Sequence, residues 1–403
     1  MTTAVLSGIR VLDFGRYVAG PYCATLLGYL GADVIRIERR EGGEDRFIAP
    51  VSASGEGAVF LQTGCNKRSL TLNPGTPEGR KIIAQLVQTA DVVVANLPPV
   101  ALAAMGLDEA SVLALNPRTV LVTQSAFGDV GPYTRRGGFD GVGQALSGAM
   151  VITGTPGHPA KAAAPYVDFT TAVLSAFGAL AALWERDRSG QGQRVDATLL
   201  GSALAVFNSH LIEQSVTGIH RQGTGNQVQT SAPSDLFVTR DGHLLVHCVG
   251  NGLFRRWAKL MGEEARWVGD PLYQTDQSRA DHSGPILARM RDWCAQRTTA
   301  EALLALEAAG LAAGAVHSPQ EALDDPQAAA LGLYTRVDYP GLPRPAQVVD
   351  LPVRLTRTPG GIRQRPPTIG EHTTEILTEL GYDAAAIADL RARGGVSGRA
   401  RLV

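Results

Sequence analysis

The feature that most constrains this chain is a repeated switch of hydrophobic period over its first 125 residues. Ile9 to Phe14 is a short apolar run, and a helix-spaced segment follows from about Pro21 to Leu30, closed by Gly31. Asp33 to Glu38 (DVIRIE) is a second short run. Pro77 to Ala90 has helix spacing with Glu78 in its first turn, and Val92 to Ala95 and Thr119 to Gln124 are again short and β-branched. Strands that alternate with helices pair in parallel, because each crossover helix carries the chain back across the sheet before the next strand begins. The expected fold class is therefore α/β, with a parallel sheet covered on both faces.

The pattern continues and then changes. A long helix is expected to start at Asp168 and run to about Arg188, ended by Gly190 and Gly192, before a strand at Gln193 to Ala197 and a helix from Thr198 to about Ser215. Thr217 to Ser231 is rich in Gly, Gln and Thr and reads as a linker. Leu236 to Thr239, the turn Arg240-Asp241-Gly242 and His243 to Val249 form a hairpin pattern. Helix patterns follow at Leu253 to Met261, Pro285 to Gln296 and Ala300 to Ala309. Pro340 to Pro367 carries many prolines and is expected to be extended, and two short helices, Thr373 to Leu380 and Ala384 to Ala392, close the chain. At 403 residues the chain is long for one domain. The division read from the sequence is a large domain over 1–215, a linker over 216–231, a smaller α+β domain over 232–333, and a return to the large domain over 334–403.

Composition excludes several classes. A formal net charge of −1 gives no overall field for nucleic acid or an anionic membrane. The four cysteines, Cys23, Cys65, Cys248 and Cys294, form no CxxC pair and read as buried thiols in a reducing compartment. The N-terminal residues lack a basic region followed by an apolar core, so the expected location is the cytoplasm. The longest apolar stretch, Thr171 to Trp184, is shorter than the roughly 20 residues of a bilayer span and is expected to be a buried helix.

Common catalytic signatures are missing from the sequence. The first strand runs into Gly15-Arg16-Tyr17-Val18-Ala19-Gly20-Pro21 rather than GxGxxG, which argues against a nicotinamide oxidoreductase despite Glu38 at the end of the second strand. There is no GxxxxGK[ST] loop and no GxSxG elbow. His243 and His247 lie in a strand pattern, about 13 Å apart, too far to share one metal.

Several short segments, each weak alone, fall in a recognisable order. They are Ala19-Gly20-Pro21, Gly31-Ala32-Asp33-Val34-Ile35-Arg36-Ile37-Glu38, Asn66-Lys67-Arg68-Ser69-Leu70, Ala90-Asp91-Val92-Val93-Val94-Ala95-Asn96 and Asn116-Pro117-Arg118. Next come Gly128-Asp129-Val130-Gly131-Pro132, Gly138-Phe139-Asp140 with Gln144-Ala145-Leu146-Ser147-Gly148, Tyr166-Val167-Asp168, and Gly190-Gln191-Gly192-Gln193. In this order the chain closely resembles the class III CoA-transferases, the family of formyl-CoA:oxalate and carnitine CoA-transferases. The resemblance implies a Rossmann-like large domain, a smaller domain, and two chains interlocked as a homodimer, with the active site where large and small domains of different chains meet. It implies acyl-CoA and a carboxylate as substrates, with no permanently bound cofactor and no metal.

The resemblance also assigns residues. Asp168 falls on the catalytic aspartate. Read locally, it is an N-cap before a long apolar helix, a position where N–H groups and the helix dipole hold a carboxylate ionised. Asp140 falls on a second acidic position near the site, and read locally is a turn aspartate. Asn96, Leu97 and Pro98, and Leu72, Asn73 and Gly75, fall on two loops that touch CoA. Arg39 falls at its adenosine end, and Val18, Ala19, Met105, Arg136 and Gly137 on further contact positions. The chain departs from the family pattern at Ala104 and Gly137, where basic residues are usual, although Arg136 stands beside the latter. It departs also at Val18, a substrate-contacting glutamine in the oxalate enzyme, and in the loop Val249-Gly250-Asn251-Gly252. These departures point away from oxalate and formate and leave CoA use intact.

The reaction implied is a transfer in which Asp168 forms a mixed anhydride and then an aspartyl-CoA thioester, with backbone N–H groups near Gly250 or Gly252 as oxyanion donors. The alternative is the α-methylacyl-CoA racemase branch of the same family, whose Gly-His-Asp base corresponds here to Gly138-Phe139-Asp140. Phenylalanine cannot accept a proton. A CoA-binding protein without catalysis stays open at this point.

Overall fold

A computed structural model describes residues 4–396. The chain divides into two compact units. One comprises the residues up to Ser147, Ala163–Val216 and the residues from Pro326 onward; the other comprises Gly148–Ala162 and Thr217–Asp325.

The first unit is built on six strands: β1 (Arg10–Asp13), β2 (Asp33–Glu38), β3 (Lys67–Thr71), β4 (Val92–Ala95), β5 (Val120–Ser125) and β6 (Arg194–Thr198). All pair in parallel, in the order β3-β2-β1-β4-β5-β6. The α/β expectation holds. The order reverses between β1 and β4, so the carboxyl ends of these strands face a crevice, the usual ligand position in a doubly wound sheet.

The period-2 geometry of a strand divides each apolar run between two cores. Leu12, Ile35, Val93 and Leu121 face one side, packed with Ile82, Ile83, Leu86 and Val87 of helix Pro77–Gln88 and with Ile376, Leu377, Ile387 and Leu390 of the two C-terminal helices. Val11, Val34, Val92, Val94, Val120 and Val122 face the other, under helix Ala19–Tyr29 and the long helix Tyr166–Ser189. Each fully buried Val, Leu or Ile contributes about 1.5–3 kcal/mol. A double-sided core is why these strands show no polar alternation.

Strand β3, with the sequence KRSLT, is not legible as a strand, since its first three residues are polar. It sits at the sheet edge, and its polar groups are matched by remote partners. Lys67 is fully buried, with Nζ 2.7 Å from Asp13 Oδ2 and 2.7 Å from the Pro21 carbonyl. Ser69 Oγ donates to Glu38 Oε1 at 2.8 Å. The edge is closed by the C-terminal return: Ser69 N–H donates to His372 Nδ1 at 3.2 Å and accepts at its carbonyl from His372 N–H at 3.0 Å. A bare edge strand invites pairing with other chains, and this segment prevents it.

The long helix starts two residues before the expected Asp168 and, against the expectation of a buried helix, leaves one face exposed. It has 24 residues and is long and apolar enough, by length and composition alone, to cross a bilayer. Here it is a sheet-covering helix. Thr171, Ala172, Ser175, Ala176, Ala179 and Ala182 face inward, Arg186 pairs with Asp91 at 2.8 Å, and Val173, Leu174, Phe177 and Trp184 are exposed.

In the second unit β7 (Ser234–Val238), β8 (His243–His247) and β9 (Ala312–Ala315) form an antiparallel sheet, packed with helices Asn251–Leu260, Ser283–Ala295 and Thr299–Ala308 around Trp257, Phe237 and Met290. The expected hairpin and three helices are present. All four cysteines are free and buried.

Candidate active site

The long helix is a crossover between parallel strands β5 and β6, so its first turn lies at the carboxyl edge of the sheet. The first helix, following β1, starts at the same edge, and Tyr22 from it meets Phe169 edge-on at 4.8 Å. Asp168 sits in that first turn. It is the third residue of the helix, because the chain becomes helical at Tyr166 with Pro165 at the N-cap. The N-cap reading of Asp168 is therefore wrong.

The cap comes instead from Asp140. This residue is 8 % exposed and opens the short helix Asp140–Leu146. Its Oδ2 accepts from the N–H groups of Val167 at 2.7 Å and Asp168 at 3.1 Å, and its Oδ1 accepts from Gln144 Nε2 at 2.5 Å. Two of the orphan donors of the long helix are thus satisfied by a carboxylate 27 and 28 residues earlier in the chain. The arrangement inverts the electrostatics expected from sequence. The N–H groups of Val167 and Asp168 are bound to Asp140, and no hydrogen bond is among the causes that set the Asp168 carboxyl. Burial, followed by the charge of Asp140, pushes the Asp168 carboxyl up to about 6. Neither cause is a hydrogen bond, and among the described residues no donor to its two oxygens is found. Tyr166 is shifted the same way, its hydroxyl raised by burial and then by Asp140.

A second feature lies at the same sheet edge. A cavity of about 340 Å³ opens beyond the carboxyl ends of β1, β2, β3 and β4. Arg39, Leu72, Gly75, Leu97 and Met105, which the sequence pattern assigned to CoA, line it together with Phe14, Arg16, Ile37, Glu38, Pro74, Arg80, Ala101 and Ala104. Its walls are apolar, and three guanidinium side chains border it. Cavities of this size and lining hold cofactor-sized ligands. The Glu38 carboxylate is not available to such a ligand. Burial pushes it up, but Arg46 (2.6 Å) and Arg36 (3.5 Å) outweigh that and hold it at about 2.

The remaining assigned residues do other things. Asn96 clasps the first loop: its Oδ1 accepts from Arg16 N–H at 2.6 Å and its Nδ2 donates to the Arg16 carbonyl at 2.8 Å. Asn73 accepts from Gly75 N–H at 3.0 Å and shapes its own turn. Pro98 caps the helix Pro99–Met105 beside the cavity. Val18 and Ala19 are buried at the start of the first helix. Arg136 lies 4.0 Å over the Tyr133 ring in the exposed loop after β5, next to Gly137. Phe139, at 59 % exposure, meets Tyr17 edge-on at 5.2 Å.

In the second unit, Gly250 is not a free oxyanion donor. Its N–H donates to both oxygens of Asp276, at 2.9 and 2.8 Å, and Arg279 ties Asn251 and Tyr273 into the same cluster. Gly252 lies in the first turn of helix Asn251–Leu260.

The chain matches CoA-transferase family III over residues 6–373. It is 35% identical over 386 residues to a succinate–glutarate CoA-transferase of Agrobacterium fabrum, covering 93% of this chain and 95% of that one. It is 33% identical over 384 residues to a succinyl-CoA–D-citramalate CoA-transferase of Chloroflexus aurantiacus, covering 93% and 94%. A CAIB/BAIF family protein from Brucella suis superposes with a TM-score of 0.83 at 29% identity, covering 94% of this chain and all of that one.

Proposed function

The chain belongs to CoA-transferase family III, and from that membership we propose that its CoA transfer runs through covalent intermediates on Asp168. The observation that carries this reading is the state of the Asp168 carboxylate: in the first turn of the long helix, fixed through its own N–H by Asp140, and left without a donor among the described residues. A carboxylate raised to about 6 is still mostly ionised above pH 7, and its oxygens are more basic and more nucleophilic than those of a solvated aspartate.

In the first step an Asp168 oxygen attacks the thioester carbonyl of the donor. The C–S bond breaks, CoA leaves as thiolate, and a mixed anhydride remains. The thiolate then attacks the aspartyl carbonyl, expelling the donor acid as carboxylate and forming an aspartyl-CoA thioester. The acceptor carboxylate attacks that thioester, thiolate leaves again, and the thiolate takes the acceptor's acyl group from the new anhydride, which restores Asp168. Each acyl bond is exchanged for another of similar energy, so no ATP or metal takes part. The protein's work is positioning and the exclusion of water from the anhydride. The cavity bordered by Arg39 takes the nucleotide end of CoA, and Asp140 acts as a positioning residue.

The names of the relatives pair succinyl-CoA or succinate with a small dicarboxylic acid. We extend that class to this chain: succinyl-CoA as donor and a small dicarboxylate as acceptor. Racemisation is disfavoured because the side chain preceding Asp140 is Phe139, which cannot remove an α-proton. An obligate homodimer is supported by the exposed apolar side chains of the long helix, Val173, Leu174, Phe177 and Trp184, with Val206 and Ile212 on the next helix. A stable, active monomer by sedimentation at micromolar concentration contradicts the dimer.

The mechanism is tested by trapping. Succinyl-CoA without acceptor leaves acyl or CoA on the enzyme; hydroxylamine captures either activated aspartyl species, and borohydride reduces the thioester. Peptide mapping is expected to place the modification between Ala164 and Thr171. Exchange that proceeds with no modification of that peptide refutes the covalent route.

A further inference from the structure

The loop between β1 and the first helix is built around Arg16. Gly15 N–H donates to Asp13 Oδ1 at 2.8 Å, and Asn96 bonds both the N–H and the carbonyl of Arg16. The next residue, Tyr17, is held at φ +61, a left-handed conformation that a non-glycine residue rarely adopts and that persists only where its surroundings impose it. The loop thereby fixes the origin of the Arg16 side chain on the cavity wall.

That side chain has no close ion pair of the kind its two neighbours make. Arg36 and Arg46 are fully buried and each has an ion pair at 2.6–2.7 Å. The Arg16 side chain is only 15 % exposed, yet its nearest acceptors are the Gly15 carbonyl at 3.5 Å and Glu44 Oε2 at 3.9 Å. Burial and the neighbouring charge of Arg36 depress its pKa. A guanidinium with five donors and only long contacts within the protein keeps hydrogen-bonding capacity that an anionic ligand can use. The rim of the cavity already shows where an anion sits. One carboxylate, Glu44, lies 2.9 Å from Arg39 Nη1 and 3.9 Å from Arg16 Nε, so two guanidinium groups converge on a single anionic position. Position 104, on the same cavity wall, is alanine and supplies no charge.

We propose that Arg16 binds a phosphate of coenzyme A, converging with Arg39 on the anionic position that Glu44 now borders. The inference rests on CoA as the ligand of this cavity and is independent of the chemistry at Asp168. Its source is either the 3′-phosphate or the diphosphate of CoA, and the test separates them.

Binding of CoA and of 3′-dephospho-CoA to the full-length native protein, Arg16→Ala and Arg16→Lys is measured by calorimetry, and kcat/KM is measured with the succinyl thioester of pantetheine, which has no phosphate. Arg16→Ala is expected to bind CoA about 10- to 100-fold more weakly, the range for losing charge-assisted hydrogen bonds to one anion, with Arg16→Lys recovering part of it. The pantetheine thioester is expected to react equally well with all three proteins. If the loss disappears with 3′-dephospho-CoA, the contact is to the 3′-phosphate; if it persists, to the diphosphate. CoA affinity unchanged in both variants, with native binding intact, overturns the Arg16 assignment alone. An equal loss with the pantetheine thioester overturns it too, because the effect then does not depend on phosphate. Should Arg16→Ala fail to fold, the same comparison is made on Arg16→Lys. Native protein that binds no CoA overturns the cavity assignment with it.

Discussion

Replacing Asp168 with asparagine separates function from stability in a way that follows from its surroundings. The side chain keeps nearly the same shape and loses its charge. In the folded protein the carboxyl is raised from 3.8 to about 6, burial acting first and Asp140 second. A rise of this size corresponds to roughly 3 kcal/mol of penalty on the ionised form, and partial exposure reduces the realised figure to about 1–2 kcal/mol. The sign follows from linkage. A carboxyl with a raised folded pKa binds a proton in the native state that the unfolded chain has already released. Native stability therefore falls as pH rises from about 4 to about 6, and the full penalty applies above that window. The amide of the Asp168→Asn variant does not titrate. At pH 7.5 this variant is expected to melt on the order of 2–4 °C higher than the native protein, and most of that gap closes by about pH 4.5. Because the chain has two units, the comparison is made on the transition of the unit with the six-stranded parallel sheet, followed by hydrogen exchange in peptides of the long helix. CoA exchange by the same variant is expected to fall at least about a thousandfold, since an amide cannot form the anhydride. A variant no more stable than native at pH 7.5, or a gap that ignores pH, refutes the electrostatic account. Substantial exchange activity, after deamidation has been excluded by mass spectrometry, refutes the nucleophile.

Other consequences are equally direct. Asp140→Asn retains an acceptor for the Val167 and Asp168 N–H groups but removes the charge that raises Asp168. The acidic limb of its kcat/KM–pH profile is expected to move below the native value of about 6, and an unmoved limb contradicts the positioning role. Arg39→Ala is expected to raise KM for acyl-CoA more than it lowers kcat, because Arg39 borders the cavity and not Asp168; a fall in kcat at saturation with KM unchanged argues against that mapping. The native enzyme is expected to leave the α-hydrogen of a 2-methylacyl-CoA in place in deuterated water, and Phe139→His alone is expected not to change this, since a base also needs reach and a tuned pKa. Deuterium incorporation by the native enzyme overturns the transferase reading.

Much of the fold is open to sequence because it depends on neighbours in the chain. Val92-Val93-Val94-Ala95 reads as a doubly buried parallel strand since its period and its flanking helices are local properties. The order of short motifs, also a linear property, singles out Asp168, Arg39 and the loops around Leu72 and Leu97. What tertiary structure alone decided concerns charge and hydrogen bonding between distant segments. Lys67-Arg68-Ser69 is a buried strand only because Asp13, Glu38 and His372 arrive from elsewhere to match it. Gly250 loses its N–H to Asp276. Asp168 looks like its own cap, but Asp140 reaches the helix first, and burial, followed by the charge of Asp140, raises the Asp168 carboxyl where the cap reading had it held ionised. Hydrophobic period is set by residues a few positions apart, whereas the energy of a buried charge depends on distances that exist only after the chain has folded.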